Sequence, residues 1–126
     1  MTTTRFTTRK LNVIVVDDDD ELRRAVTDIL LLNNHSVMSV ANGKGALALI
    51  KEQHFDLMIT DLGMPGITGL ELCNLAGELD PQLKAILITG IGAHLTEEDT
   101  ANPLLIGVLL KPFRINQLYD IVKLLG

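Results

Sequence analysis

The sequence predicts an α/β fold of the doubly wound type, in which five βα units form a three-layer sandwich around a parallel five-stranded sheet. Two observations indicate this class. Short aliphatic runs alternate with amphipathic stretches five times along the chain, a pattern typical of a parallel sheet with helices on both faces. The length of 126 residues, of which 47% are hydrophobic, suffices for one domain with its own core.

Five short strands are predicted, and the first is a continuous β-branched run, as a strand buried on both faces requires. They cover residues 13–16, 36–40, 57–60, 85–88 and 108–110. Apolar residues between the strands recur at helical spacing, which predicts helices. Three of these helices cover residues 22–32, 46–53 and 115–125, and another ends at Asp80-Pro81. Asn42-Gly43 is interpreted as a turn. Thr96 and Asp99 predict a capping box for the fourth helix, which Pro103 should keep short or kinked.

Composition and charge exclude several classes of function. Aromatic residues make up 3% of the chain and tryptophan is absent, which argues against a base-stacking surface for single strands. The net charge of −5 equals the five acids at positions 17–21, so no basic surface for nucleic acid or anionic lipid is expected. No apolar run approaches the ~18 residues of a membrane span. The lone Cys73 excludes a disulfide framework and favours a cytoplasmic location.

Polar side chains follow four of the five predicted strands. Asp17 and Asp18 follow the first, Asp61 the third, Thr89 the fourth and Lys111 the fifth. Because the carboxyl ends of parallel strands open on one edge, these side chains should meet there. Three carboxylates facing one ammonium need a further cation, and all-oxygen ligands favour Mg²⁺, with Mn²⁺ as an alternative. The sequence therefore predicts a metal-dependent phosphoryl site with a carboxylate nucleophile.

Four short motifs surround these residues. They are Val15-Val16-Asp17-Asp18, Asp61-Leu62-Gly63-Met64-Pro65-Gly66 with Gly69 after it, Leu87-Ile88-Thr89-Gly90, and Lys111-Pro112-Phe113. In residues and separation the chain resembles the receiver domain of response regulators in two-component signalling, from residue 11 to residue 126. The resemblance implies a flavodoxin-like sheet of strand order 2-1-3-4-5. Residues 1–10, rich in threonine, are expected to form a flexible tail.

The resemblance also implies a role for each polar residue at the sheet edge. Asp61 would accept a phosphoryl group and would ligate Mg²⁺ together with Asp18 directly, Asp17 largely through water, and the backbone carbonyl of Gly63. Thr89 would hydrogen-bond one phosphoryl oxygen, and Lys111 would pair with another. The peptide bond between Lys111 and Pro112 is expected to be cis.

The family also implies partners for this chain. The phosphoryl donor would be a phosphohistidine on a sensor histidine kinase or a histidine phosphotransfer protein. The acceptor would be a regulatory domain, with only weak self-catalysed phosphorylation and dephosphorylation, rather than an enzyme. Its output would pass to an effector domain or partner protein, and phosphorylation could drive homodimer formation. No direct contact with nucleic acid or membrane is expected.

Three positions depart from the family pattern. Val108 stands where the family's switch usually has an aromatic residue, Gly92 and Pro103 bracket an unusual fourth helix, and Gly63 places no side chain beside the acceptor. We therefore expect phosphorylation to shift Thr89 and residues 90–94, while Val108 only repacks.

Two other functions compete with this interpretation. A phosphatase of the haloacid-dehalogenase type would use Asp17 as nucleophile with Asp19 beside it, although no acidic pair follows Lys111, because Asp120 stands alone. A degenerate receiver would act as a binding module that accepts no phosphate. The remaining candidate residues are interpreted as structural. These are His35, His54 and His94, which form no ligand pattern, and Cys73, Met58 and Met64, which should pack in the core.

Overall fold

A computed structural model describes residues 9–90 and 94–125 of the chain. Within them, strands and helices alternate five times. The strands are β1 (Asn12–Val16), β2 (Ser36–Val40), β3 (Leu57–Asp61), β4 (Lys84–Thr89) and β5 (Leu105–Leu110). The helices are α1 (Asp20–Leu32), α2 (Gly43–Glu52), α3 (Gly69–Leu79), α4 (Glu97–Thr100) and α5 (Ile115–Val122), and a 3-10 turn over Lys123–Leu125 follows α5.

The strands form one parallel sheet of order β2-β1-β3-β4-β5, which confirms the predicted architecture. Val16 at the end of β1 lies opposite Val40 on one side and Thr60 on the other. Asp61 at the end of β3 lies opposite Ile88, one residue before the end of β4. The register thus brings the carboxyl ends of neighbouring strands to one edge.

Helices cover both faces of the sheet and bury two separate cores. Helices α2 and α3 pack on one face with side chains that include Ile50 and Leu72. Helices α1 and α5 pack on the other face, where Val26 and Leu118 are buried. Alternate residues of β1 enter alternate cores, which is why this strand is apolar throughout.

Several element boundaries differ from the sequence prediction by one or two residues, and the starts of β5 and α2 and the end of α5 differ by three. Strand β5 begins at Leu105 rather than at residue 108. A change of register between Ala85 and Ile86 allows Leu105 and Gly107 both to pair with β4. Helix α2 begins at Gly43 rather than at residue 46. The Asn42 side chain accepts a hydrogen bond from the Gly45 N–H at 2.7 Å, so Asn42 caps a helix where its neighbour glycine suggested a turn.

The fourth helix is a single turn, as the sequence predicted. Thr96 and Asp99 form the capping box through reciprocal hydrogen bonds of 3.0 and 3.1 Å. No residue of α4 is buried. Its stability therefore depends on its cap rather than on packing.

The predicted tail covers residues 1–10, of which residues 1–8 lie outside the described part of the chain. Arg9 lies 3.5 Å from the Asp56 carboxylate and donates to the carbonyl of Leu125 at 3.3 Å. None of the described helices is long and apolar enough to cross a membrane.

Candidate functional site

Three aspartates meet at the carboxyl edge of the sheet. Carboxylate oxygens of Asp17, Asp18 and Asp61 lie within 4.8 Å of one another. Asp17 is fixed from two sides, because its N–H donates to the Val40 carbonyl at 3.2 Å and its Oδ1 accepts from the Asp19 N–H at 2.9 Å. Asp61 is the last residue of β3. The two strand ends thus bring together carboxylates that lie far apart in the sequence.

Two of these carboxylates are buried, and the third is exposed. Asp17 is 2% exposed and Asp61 6% exposed, whereas Asp18 faces solvent. Burial raises the pKa of Asp17, and repulsion from Asp61 and Asp18 adds to this effect. The hydrogen bond from Asp19 acts in the opposite direction. The edge therefore carries more negative charge than its surroundings stabilise.

Lys111 supplies a positive charge to this edge. Its Nζ lies 3.4 Å from Oδ1 of Asp61. The backbone N–H of Lys111 donates to the Thr89 carbonyl at 2.8 Å, which ties the end of β5 to the end of β4. The peptide bond from Lys111 to Pro112 is cis.

Thr89 and Gly63 complete the predicted set of site residues. Thr89 is buried at the end of β4, and its hydroxyl donates to the Gly90 carbonyl over a long 3.5 Å. Such a weak bond leaves the hydroxyl free to turn toward another acceptor. Gly63 is exposed, and a side chain added there would meet no atom within 4 Å. Val108 is half-buried in β5.

The residues at this edge fit a divalent cation. Among the side chains that the structure describes, Oδ2 of Asp17 is the buried oxygen that has no hydrogen-bond partner. An unpartnered buried carboxylate oxygen is costly, and a cation would remove the cost. The donors are oxygens, as Mg²⁺ and Mn²⁺ prefer.

One residue beside the site was missed by the sequence interpretation. The Arg23 guanidinium donates to the backbone carbonyl of Asp17 at 2.7 Å and to the Asp20 carboxylate at 2.6 Å. The spacing of an acid and a base three residues apart on a helix predicts the contact to Asp20. No pattern in the sequence predicts the contact to a backbone carbonyl.

Comparison with known proteins identifies the family. The family model described as "Response regulator receiver domain" matches residues 13–123. The chain belongs to the response regulator receiver family. A curated member of this family, the response regulator receiver protein CpdR of Brucella abortus, is 38% identical over 82 residues, which cover 65% of this chain and 68% of that protein.

The relatives of this chain differ widely in length. The response regulator protein FleR of Pseudomonas aeruginosa is 34% identical over 97 residues, which cover 77% of this chain but 20% of FleR. Sporulation initiation phosphotransferase F of Bacillus subtilis is 26% identical, with 71% of this chain and 72% of that protein covered. The chain therefore corresponds to a whole protein in some relatives and to one part in others.

Solved receiver structures share the fold. The chemotaxis response regulator CheY4 of Vibrio cholerae superimposes with a TM-score of 0.82 at 24% identity, over 94% of this chain and all of that one. A receiver protein from Sinorhizobium medicae gives 0.78 at 25% identity, over 93% and 94%. The receiver fold thus accounts for nearly the whole chain.

The geometry disfavours the phosphatase hypothesis. That mechanism needs Asp19 beside Asp17, but the Asp19 side chain accepts from the Glu21 and Leu22 N–H groups and caps α1. The residues that the sequence assigned to the core are buried there. Met58 and Met64 are buried in the core, and burial raises the pKa of Cys73 to about 11, which leaves it a packing thiol.

Proposed function

We propose that this receiver accepts a phosphoryl group on Asp61 in a reaction that requires a divalent cation, Mg²⁺ or Mn²⁺. The observation that carries the proposal is the position of Asp61, whose carboxylate lies within 4.8 Å of two other carboxylates and 3.4 Å from the Lys111 ammonium. A nucleophilic carboxylate beside a cation-binding pair and a fixed ammonium is the arrangement that phosphoryl transfer needs.

In the proposed step, a carboxylate oxygen of Asp61 attacks the phosphorus of a phosphohistidine. The phosphorus–oxygen bond forms while the phosphorus–nitrogen bond breaks, and the imidazole leaves with the electron pair of that bond. Lys111 would neutralise one phosphoryl oxygen, and the Thr89 hydroxyl would turn from the Gly90 carbonyl to hydrogen-bond another. Asp17, Asp18, Asp61 and the Gly63 carbonyl would hold the cation, which supplies further charge neutralisation when bound.

The donor would be a sensor histidine kinase or a histidine phosphotransfer protein. Relatives of this chain include sporulation initiation phosphotransferase F and the sensor histidine kinase AruS, of which the chain covers 9%. Receiver domains thus occur both alone and within kinases. The phosphorylated form would act through an effector domain or a partner protein, with homodimer formation as one route, and we place it in the cytoplasm.

The test of this function is which aspartate becomes phosphorylated. We would treat the chain with Mg²⁺ and phosphoramidate, which carries the phosphorus–nitrogen bond of phosphohistidine, and locate the phosphate by mass spectrometry. Asp61→Asn should abolish labelling, whereas Asp120→Asn, at an exposed position, should retain it. Labelling of Asp17 would support the phosphatase instead. Cation binding that Asp18→Ala removes, with no labelling at all, would support the degenerate receiver.

Switching is tested separately. We expect beryllofluoride, a mimic of the phosphoryl group, to shift the NMR signals of Thr89 and of residues 90–94, with a small change at Val108. Residues 91–93 of that segment lie outside the described part of the chain. Unchanged signals around Thr89 in the Mg²⁺-loaded protein would contradict this switch.

A further inference from the structure

The turn between β1 and α1 is held by a guanidinium from the helix. Arg23 follows the acidic run at positions 17–21, and its side chain is 21% exposed. It makes two hydrogen bonds, to the carbonyl of Asp17 at 2.7 Å and to Oδ1 of Asp20 at 2.6 Å. Both distances are short for such bonds, as expected when the donor is charged. The fork of Arg23 therefore joins the end of the strand to the start of the helix.

This contact completes the fixation of the Asp17 backbone. The N–H of Asp17 donates to a carbonyl of β2, and its Oδ1 accepts from the Asp19 N–H. Of its two other polar groups, Oδ2 has no partner and the carbonyl accepts from Arg23. The carbonyl of Asp17 belongs to the peptide group that joins it to Asp18. Fixing that peptide plane fixes the position of the Asp18 Cα, from which the exposed side chain of Asp18 begins.

We propose that Arg23 is a positioning residue for the divalent cation. Its guanidinium holds the peptide between Asp17 and Asp18 so that both carboxylates face Asp61. This inference rests on the proposed function, since it concerns the same cation. A guanidinium suits this task because its rigid fork bonds a carbonyl and a carboxylate together, which a lysine ammonium on its flexible stem cannot do with the same geometry.

The sign of the effect separates positioning from charge. A cation near a metal site repels the metal, so loss of an arginine that acted only through its charge would tighten Mg²⁺ binding. Loss of a positioning residue weakens it. Arg24 is the matched control, because it is exposed, is adjacent in the same helix and carries the same charge.

The experiment is a calorimetric Mg²⁺ titration of the whole chain and its variants, below their unfolding temperatures. Groups that orient metal ligands typically change affinity by about tenfold or more, so Arg23→Gln should raise the Kd about tenfold. Arg24→Gln should leave the Kd unchanged or lower it. An Arg23→Gln variant that unfolds more readily but binds Mg²⁺ as tightly as the parent would overturn the inference.

A milder change covers the case in which Arg23→Gln does not fold. Arg23→Lys keeps the charge and loses the fork, and it should still raise the Kd about threefold, whereas an unchanged Kd would overturn the inference.

Asp20→Ala removes one hydrogen-bond partner of the Arg23 guanidinium and should weaken Mg²⁺ binding more than Glu21→Ala, which removes the same charge one residue further along the helix. A parent chain that binds no Mg²⁺ contradicts the proposed function itself. Normal binding by the parent with no response to Arg23 contradicts this inference alone.

Discussion

Asp17 uses one carboxylate oxygen to bond the Asp19 N–H and keeps the other buried without a partner among the described residues. Its pKa is raised by burial and by the neighbouring carboxylates Asp61 and Asp18. An acid whose pKa is higher in the folded state opposes folding increasingly as the pH rises above its unfolded value. At neutral pH without metal, this residue therefore reduces the stability of the protein.

This leads to a prediction for Asp17→Asn. The amide oxygen can still accept the hydrogen bond from the Asp19 N–H, but the side chain carries no charge. The variant should therefore be more stable than the parent by about 1 kcal/mol at pH 7 in the presence of a metal chelator. Urea unfolding measures the difference. The gain should shrink as the pH falls toward 4, where the parent carboxyl takes up its proton; a gain that stays constant with pH would contradict the electrostatic cause.

Gly69 is a second residue at which the structure allows little change. A Cβ built there would lie 2.4 Å from the carbonyl oxygen of Asp61 and 2.9 Å from the Cα of Leu62. Because the first contact is with backbone, the start of α3 cannot accept a side chain unless the end of β3 moves.

We expect Gly69→Ala to lower the free energy of unfolding by about 2 kcal/mol or more, the usual cost of overpacking. Gly63→Ala is the matched control for stability, since its Cβ would meet no atom within 4 Å. Equal unfolding midpoints for the two variants would show that β3 adapts freely.

Single elements contribute unequally to the fold. Helix α5 buries Leu118 and Val122, whereas α4 buries none of its residues. A helix without buried residues opens locally at low cost, because unfolding it exposes little apolar surface.

Thr96→Ala removes the cap of α4, and Leu118→Ala leaves a cavity in the core. We expect Leu118→Ala to lower global stability by about 2–5 kcal/mol. Thr96→Ala should instead speed hydrogen exchange in residues 97–100 and leave the global unfolding midpoint nearly unchanged. A large global loss from Thr96→Ala would mean that α4 is coupled to the core.

The order of elements followed from the sequence, but some boundaries did not. Aliphatic runs identified the inner strands β1, β3 and β4, because a strand buried on both faces has few alternatives to aliphatic residues. The start of β5 was missed because Gly107 interrupts its apolar run, and the pairing that extends it depends on a change of register in β4. Asn42 was assigned to a turn because the same side chain can bond a turn or a helix start, and only the tertiary contacts decide between them.

At the scale of the molecule, sequence reasoning selected polar residues that the structure brings to one edge of the sheet, because the carboxyl ends of parallel strands open on the same edge. It could not supply distances, the orphaned oxygen of Asp17 or the bond from Arg23 to a carbonyl, since these depend on side-chain directions. It also missed the cluster in which His54 lies 3.2 Å from Asp56 and 3.3 Å from Asp80. These residues are exposed or half-buried, and their spacing in the sequence follows no recognisable period.

Acid stability of the whole molecule should depend on His35. This side chain is 5% exposed, and its Nδ1 accepts a hydrogen bond of 3.0 Å from the Leu11 N–H beside β1. Burial lowers the pKa of His35 below its ordinary 6.5. A base with a lowered pKa stabilises the fold above 6.5, and that contribution is lost as the pH falls through the folded value.

The free energy of unfolding of the parent should therefore decrease as the pH falls below 6.5. His35→Gln should be less stable at pH 8 and should show a smaller decrease, whereas His94→Gln, at an exposed position, should keep the parent's profile. Urea unfolding at several pH values measures this. Parallel profiles for the parent and His35→Gln would assign the acid sensitivity to other groups.

The link between Lys111 and Asp61 has a consequence for how the molecule is made. The three aspartates, which follow β1 or end β3, leave the ribosome well before Lys111, which follows β5. A nascent chain that has reached only α4 would hold clustered negative charge with no ammonium to offset it. The acidic half of this rim is therefore synthesised first, and the ammonium that offsets it is added last.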